Sequence, residues 1–297
     1  MSVELTAGSL RAVYEPGAGM VCSSLQHDGA ELLGQREGLE GYVERGKTFG
    51  IPLLHPWANR LDGLRYVVGD RTVDLDPAVS PLELDEHGLP IHGLCAASPY
   101  WEVLTSSTTS LRAALDFGAR AELLAGFPFP HRLELDVTLA PDALTVRTVL
   151  TPTADVAVPV AFGFHPYLAP PDAPRRAWDV RLPVGRRLLN DSRGIPTGQT
   201  EPAGALDGPL GDRTFDDGFD ELGGDRRLVV TAGGRELAVH FGEGFPVAQV
   251  FAPADPEVVC FEPMTAPTNA LGAGTARLVA PDESFEATFA VQCRVPA

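Results

Sequence analysis

The sequence predicts an all-β protein, organised as one large unit of many short strands, and three observations carry that prediction. Composition is the first: 44% of the 297 residues are hydrophobic, enough for a sizeable core, while 31 Gly and 27 Pro supply turn formers at a density that leaves little room for long helices. The second is Arg132-Leu133-Glu134-Leu135-Asp136-Val137-Thr138-Leu139, which alternates polar and apolar residues and is followed, across Ala140-Pro141-Asp142-Ala143, by a strand-like piece at 144–150. That pattern is a half-exposed antiparallel hairpin. The third is the N-terminal segment, where strand-like pieces at 10–14, 21–25 and 31–33 are separated by Pro16-Gly17-Ala18-Gly19 and His27-Asp28-Gly29-Ala30, the grammar of a β-meander.

A length of 297 residues suggests about two domains, but large β folds exceed two hundred residues as one unit. With no linker, repeat or low-complexity segment, one domain over 1–297 is expected. The net charge of −17 and pI near 4.7 exclude nucleic acid and anionic membrane as partners, because both require a basic face. Cys22, Cys95, Cys260 and Cys293 are scattered without CxxC spacing and read as reduced thiols. The first residues, Met1-Ser2-Val3-Glu4-Leu5-Thr6, lack the basic and apolar regions of a signal peptide, and no run approaches the roughly 18 apolar residues of a membrane span. A cytoplasmic protein, monomer or homodimer, is the expectation.

Along the chain, 51–61 has two prolines, no period and an Asn59-Arg60 pair among apolar residues, so it reads as an ordered, partly buried loop. Arg60 is either a fork for ligand hydroxyls or the counter-ion of a core carboxylate. His92-Gly93 reads as a turn, and 119–124 as one helical turn stopped by the Gly and Pro beyond it. The run 158–168 is apolar on both faces and ends in His165, locked between Phe164 and Pro166. Residues 169–227 are rich in Pro, Gly, Asp and Arg and read as long loops with short strands; within them Asp216-Asp217-Gly218 has the chemistry of a solvated turn. Strands resume at 228–231, 236–241, 247–251 and 286–295.

The most informative stretch is Val258-Val259-Cys260-Phe261-Glu262-Pro263-Met264, an apolar run with one carboxylate in it. Strand alternation puts Glu262 on the face of Val258 and Cys260, where an ionised carboxylate costs several kcal/mol unless it is paired or holds a proton. Either a cation compensates it or the carboxyl serves proton transfer. The chain has no GxSxG elbow, Walker loop, HExxH or GxGxxG motif, so no cofactor is expected. His92 and His165 lack close metal-ligand spacing, and no metal is expected either. What remains is a scattered set of His, Glu, Asp and Arg suited to general acid and base work on a small polar molecule.

Taken in order, Asn59-Arg60, His92-Gly93, Phe164-His165-Pro166-Tyr167, Phe215-Asp216, Pro246-Val247-Ala248-Gln249-Val250-Phe251 and Phe261-Glu262-Pro263 resemble the motifs of the aldose 1-epimerases, or galactose mutarotases. The resemblance covers most of the chain. It implies a large antiparallel β-sandwich, the galactose mutarotase-like supersandwich, with a hexose on its concave face. It implies Glu262 as the base at the anomeric hydroxyl, His165 as the acid at the ring oxygen, His92 assisting there, and Asn59, Arg60, Asp216 and Gln249 binding sugar hydroxyls. Asp216 is followed by Asp217 where the family usually has His, which leaves open which aspartate meets the sugar. A hexose-6-phosphate mutarotase is the sister reading, with Arg175 and Arg176 or Arg226 and Arg227 as phosphate cations. A non-catalytic carbohydrate-binding protein is the reading from another class.

Overall fold

A computed structural model of the chain describes residues 1–171 and 173–295. Its largest element is an antiparallel sheet of nine strands, running in space from Glu102–Ser106 through Ser110–Asp116, His131–Ala140, Ala143–Pro152, Phe285–Arg294, Arg235–Phe241, Arg227–Ala232 and Asp179–Arg181 to Gly208–Pro209. The hairpin legible in the sequence is its centre: Arg132 pairs with Thr151 and Leu139 with Leu144. Leu133, Leu135, Val137 and Leu139 are buried in the core, whereas on the other face Arg132 pairs with Glu134 of its own strand, and Glu134 and Asp136 pair with Arg112 and Arg147 of the neighbouring strands. This is the division that period-two alternation dictates.

A second antiparallel sheet runs in the order Pro196–Pro202, Val184–Asn190, Phe215–Leu222, Val247–Ala252, Val259–Met264, Gly163–Phe164 and Leu53–Leu54, with Tyr167–Leu168 also pairing with Val259–Met264. Aromatic side chains join the two sheets. Phe164 meets Phe289 at 4.7 Å between ring centroids, and Phe162 meets Phe285 at 6.0 Å. The architecture is therefore a large antiparallel β-sandwich. An N-terminal four-stranded meander, from Val3–Ala7 to Ala30–Glu31, adds its own apolar face to the same core.

Two corrections to the sequence reading concern 169–227. That segment is not mainly loop: Val184–Asn190, Pro196–Pro202 and Phe215–Leu222 are strands of the second sheet. They lie toward its edge, where most side chains stay partly exposed and leave no hydrophobic period to read. Asp216 accordingly sits in a strand rather than a turn, with Asp216 opposite Phe251 in the register. The expected helical turn at 119–124 is a 3-10 turn, Phe117–Ala119, followed by the helix Ala121–Gly126. One helix was not expected, Gly38–Arg45, whose residues are mostly exposed and which ends at Gly46 in the left-handed region.

Alternation in the second sheet sets up the site. Val259 and Phe261 enter the shared core, and so do Ala248, Val250 and Phe164. Their neighbours Cys260, Glu262, Gln249, Phe251 and His165 are thereby turned to the opposite face. A run that looks uniformly apolar is thus two different surfaces, one packed and one lining a cavity.

Inside the sandwich lies a second histidine pair, His55 and His131, with Nε2 atoms 2.8 Å apart and with Phe117 stacked on His131 at 4.4 Å. His131 Nδ1 donates to the carbonyl of Phe129 at 2.7 Å, so its Nε2 accepts from His55. Burial lowers the pKa of His131 from 6.5 to about 4 and holds His55 well below its usual range. The folded protein keeps the pair neutral while the unfolded chain takes up protons. Its contribution is therefore complete above pH 6.5 and is lost as the pH falls toward 4. Thermal melts should show the midpoint dropping by roughly 5 °C or more over that window, and a His55→Leu/His131→Leu variant should flatten this part of the profile. An unchanged slope in the variant would place the acid sensitivity elsewhere.

Candidate active site

Two turns bring distant residues to the open face of the second sheet. Asn59 and His92 both adopt left-handed backbone, with φ of 56° and 63°, and the His92 N–H donates to the Asn59 carbonyl at 2.9 Å. Left-handed geometry at a non-glycine residue costs about 1 kcal/mol or more and persists where the surroundings enforce it. Gly93 follows at φ 77°, and a Cβ there would lie 2.3 Å from the carbonyl oxygen of His55. The His-Gly pair is thus a packing requirement: only glycine fits the crossing that aims His92.

At the centre stand Glu262 and His165, with Oε1 and Nε2 3.2 Å apart and residue exposures of 2% and 5%. Glu262 Oε2 and His165 Nδ1 have no protein partner. Burial, aided by Asp216, pushes the Glu262 carboxyl well above the usual carboxylate range, while Arg60 acts weakly against it. Burial, with His92 and Arg36 beside it, pushes His165 well below its usual range. His92 is lowered to about 3 by burial, Arg60 and Arg36. Its ring meets His165 edge to face at 5.6 Å, and its Nδ1 is also unpartnered. Tyr167 stacks flat on the other side of His165, at 4.2 Å and 8°. The imidazole is therefore held rigidly against the carboxyl.

Register fixes the acidic wall. Gln249 lies opposite Glu262, and its Nε2 donates to Asp216 Oδ1 at 2.7 Å. Burial raises Asp216, and that hydrogen bond opposes the rise. Asp217 points to the other face, where Arg187 Nε and Nη2 hold it at 3.0 and 2.5 Å. Asp216 is thus the aspartate on the cavity side.

A cavity of about 410 Å³ is lined by Asn59, Arg60, His92, His165, Asp216 and Glu262. Six of the seven expected site residues therefore converge. Gln249 is not part of this lining; it sits behind Asp216. Of the two alternatives weighed for Arg60, the structure shows the counter-ion: its Nε donates to the buried Asp85 at 2.6 Å and its Nη1 to Asn59 Oδ1 at 3.2 Å, and the residue also lines the cavity. Although burial opposes it, Arg60 and the N–H groups of Leu89 and His87 keep Asp85 below the usual carboxylate range.

Asp85 escaped the sequence reading, although Asp85-Glu86-His87-Gly88 has the chemistry of an Asx turn, and Asp85 Oδ1 does accept from His87 and Leu89. Arg36 and Lys47, also in the lining, left no signal because they occupy a polar segment without a period. The arginines considered for a phosphate lie elsewhere. Arg175 donates to the carbonyls of Gly211, Arg213 and Ala252, Arg226 to that of Phe245, and Arg227 pairs with Glu236. Among the described residues no group of His, Cys, Asp and Glu is arranged to hold a metal, and no helix is long and apolar enough to cross a membrane.

Known proteins share this architecture. A galactose mutarotase-like protein from Clostridium acetobutylicum superposes with a TM-score of 0.87 at 18% identity, covering 99% of this chain and 95% of that one. A GalM/aldose epimerase homologue from C. elegans gives 0.80 at 13%, covering 100% and 99%. A galactose 1-epimerase from Lactobacillus acidophilus NCFM gives 0.76 at 15%, covering 100% and 95%. At these identities the likeness is one of fold. No curated protein sequence matches the chain significantly. The sequence pattern of the aldose 1-epimerase family, however, matches residues 1–292, nearly the whole length, and the chain belongs to that family.

Proposed function

We propose that the protein interconverts the α and β anomers of a hexose, with Glu262 and His165 as the proton-transfer pair. The observation that carries this reading is their 3.2 Å contact in a site that burial drives toward charge neutrality. Opening a cyclic hemiacetal requires removal of the O1 proton and delivery of a proton to the ring oxygen as the C1–O5 bond breaks. Glu262 as carboxylate takes the first and His165 as imidazolium delivers the second, with His92 beside it at the ring oxygen. Rotation about C1–C2 presents the other face of the aldehyde. O5 then attacks C1, returns its proton to His165, and O1 recovers one from Glu262.

The pair needs one mobile proton for this cycle, and burial favours that proton on Glu262. A single transfer over 3.2 Å produces the carboxylate and imidazolium that ring opening requires. Asn59, Arg60 and Asp216 bind hydroxyls around the ring, and Gln249 orients Asp216 through its amide. A binding protein without turnover has no use for an acid and a base buried together.

Polarimetry on freshly dissolved α-D-glucose and α-D-galactose tests this directly. Acceleration is expected, with Glu262→Gln and His165→Gln each lowering kcat by about 10²–10⁴-fold, and kcat/KM should depend on two titrating groups. Sugar binding without acceleration would contradict the proposal.

The same chemistry predicts a stability cost. Because the folded pKa of Glu262 lies above its unfolded value of 4.5, its contribution is complete below pH 4.5 and is lost as pH rises through the folded value. Glu262→Gln stays neutral throughout, so denaturant unfolding at pH 8 should find it more stable than wild type by about 1–2 kcal/mol, with the difference vanishing near pH 4. A destabilised variant at pH 8 would show that the ionised carboxylate is well accommodated.

A further inference from the structure

Tyr167, the ring stacked on His165, is gripped at both ends by one short segment. Its carbonyl accepts from the Gly34 N–H at 2.8 Å, and its hydroxyl accepts from Arg36 Nη1 at 3.1 Å. A Cβ at Gly34 would lie 2.5 Å from Val258 Cγ1, so glycine lets this segment lie directly against the strands that carry the site. Two residues on, Arg36 takes left-handed backbone at φ 45°. Its Nη1 also donates to the Thr48 carbonyl at 2.7 Å, the Thr48 and Tyr167 hydroxyls are hydrogen-bonded at 2.6 Å, and the guanidinium carbon lies 5.2 Å from the Tyr167 ring centre. Guanidinium, phenol and imidazole therefore run in contact from an exposed segment to Glu262.

This clamp also carries charge. Burial, His92 and Arg36, in that order, press His165 toward its neutral form, and burial, Arg60 and Arg36 do the same to His92. Burial keeps the Tyr167 phenol protonated, and likewise the thiol of Cys260, which pairs with Tyr167 across the strands. Glu262 responds instead to burial, Asp216 and Arg60. With His92, Tyr167 and Cys260 uncharged, Arg36 is the permanent charge acting on His165 among the described residues. A fixed cation on the imidazole side of the pair favours carboxylic acid with neutral imidazole over carboxylate with imidazolium.

We propose that Arg36 is a positioning residue for anomer exchange, acting through Tyr167 to keep the His165 ring against Glu262 and to rest the shared proton on the carboxyl; this role rests on the proton-transfer reading above. Its two effects are separable. Loss of the guanidinium releases the phenol that backs the imidazole, and turnover falls because the ring is no longer held at the transfer distance. Loss of the charge makes the imidazolium less unfavourable, so His165 takes up its proton at a higher pH.

Histidine titration by NMR of ¹⁵N-labelled protein without sugar reads the charge effect independently of turnover, with His165→Gln supplying the assignment. Arg36→Gln should move the His165 titration to higher pH by about half a unit, whereas Arg36→Lys, which keeps the charge, should leave it at the wild-type position. Arg36 is an exposed position bonded to a carbonyl and a hydroxyl, so both variants should fold. In polarimetry Arg36→Gln should lower kcat about tenfold while KM changes by less than about twofold, because Asn59, Arg60 and Asp216 still hold the sugar. The acidic limb of kcat/KM should move up with the titration, and Arg36→Lys should restore that limb and part of kcat. A His165 titration that is the same in wild type and Arg36→Gln, or absent from both, would overturn the proposal. So would a loss carried by KM, or one that Arg36→Lys shares in full. If the wild-type protein accelerates no sugar, the anomer-exchange reading fails, and the titration alone decides whether Arg36 governs His165.

Discussion

The structure turns on the burial of one carboxyl group on a strand whose other face is packed core. Val259 and Phe261 anchor that strand between the sheets, and Glu262 is carried to the open face by alternation alone. Once there, it is shielded from water, and among the described residues no arginine or lysine pairs with it. An ionised group so placed is costly, and the site answers by pushing its pKa up and that of His165 down. A pair poised to exchange one proton follows from that balance.

The rest of the fold keeps the pair in position. Tyr167 packs flat on His165 and is tied by its hydroxyl to Thr48 at 2.6 Å and to Arg36. On the far wall, Asp85 locks Arg60, which in turn holds Asn59. The left-handed residues Asn59 and His92 store backbone strain in support of this wall, and the close approach of Gly93 to His55 forces the geometry. The strain is tolerable because the sandwich beneath is broad and densely packed with aromatic residues.

Much of this was legible in the sequence, for identifiable reasons. The central hairpin announced itself because one face is core and the other is a lattice of ion pairs, which yields strict alternation. Glu262 stood out because a lone carboxylate in an apolar run violates the pattern around it. Asp216, by contrast, hid inside Asp-Asp-Gly, whose turn chemistry was overridden by pairing with the strand Val247–Ala252. The helix Gly38–Arg45 and the cations Arg36 and Lys47 were invisible since exposed polar residues carry no period. Gln249 matched a motif by type, but only the register shows it behind Asp216 and not in the cavity.

The most direct test of this account is the titration of Glu262 itself, by NMR of protein carrying ¹³C-labelled glutamate, with Glu262→Gln supplying the assignment. The account predicts a carboxyl that remains protonated well above the ordinary value of 4.5, with a coupled perturbation of His165 at the same pH. A Glu262 resonance titrating in the ordinary carboxylate range would mean that the site solvates its charge, and the proton-sharing pair would have to be abandoned.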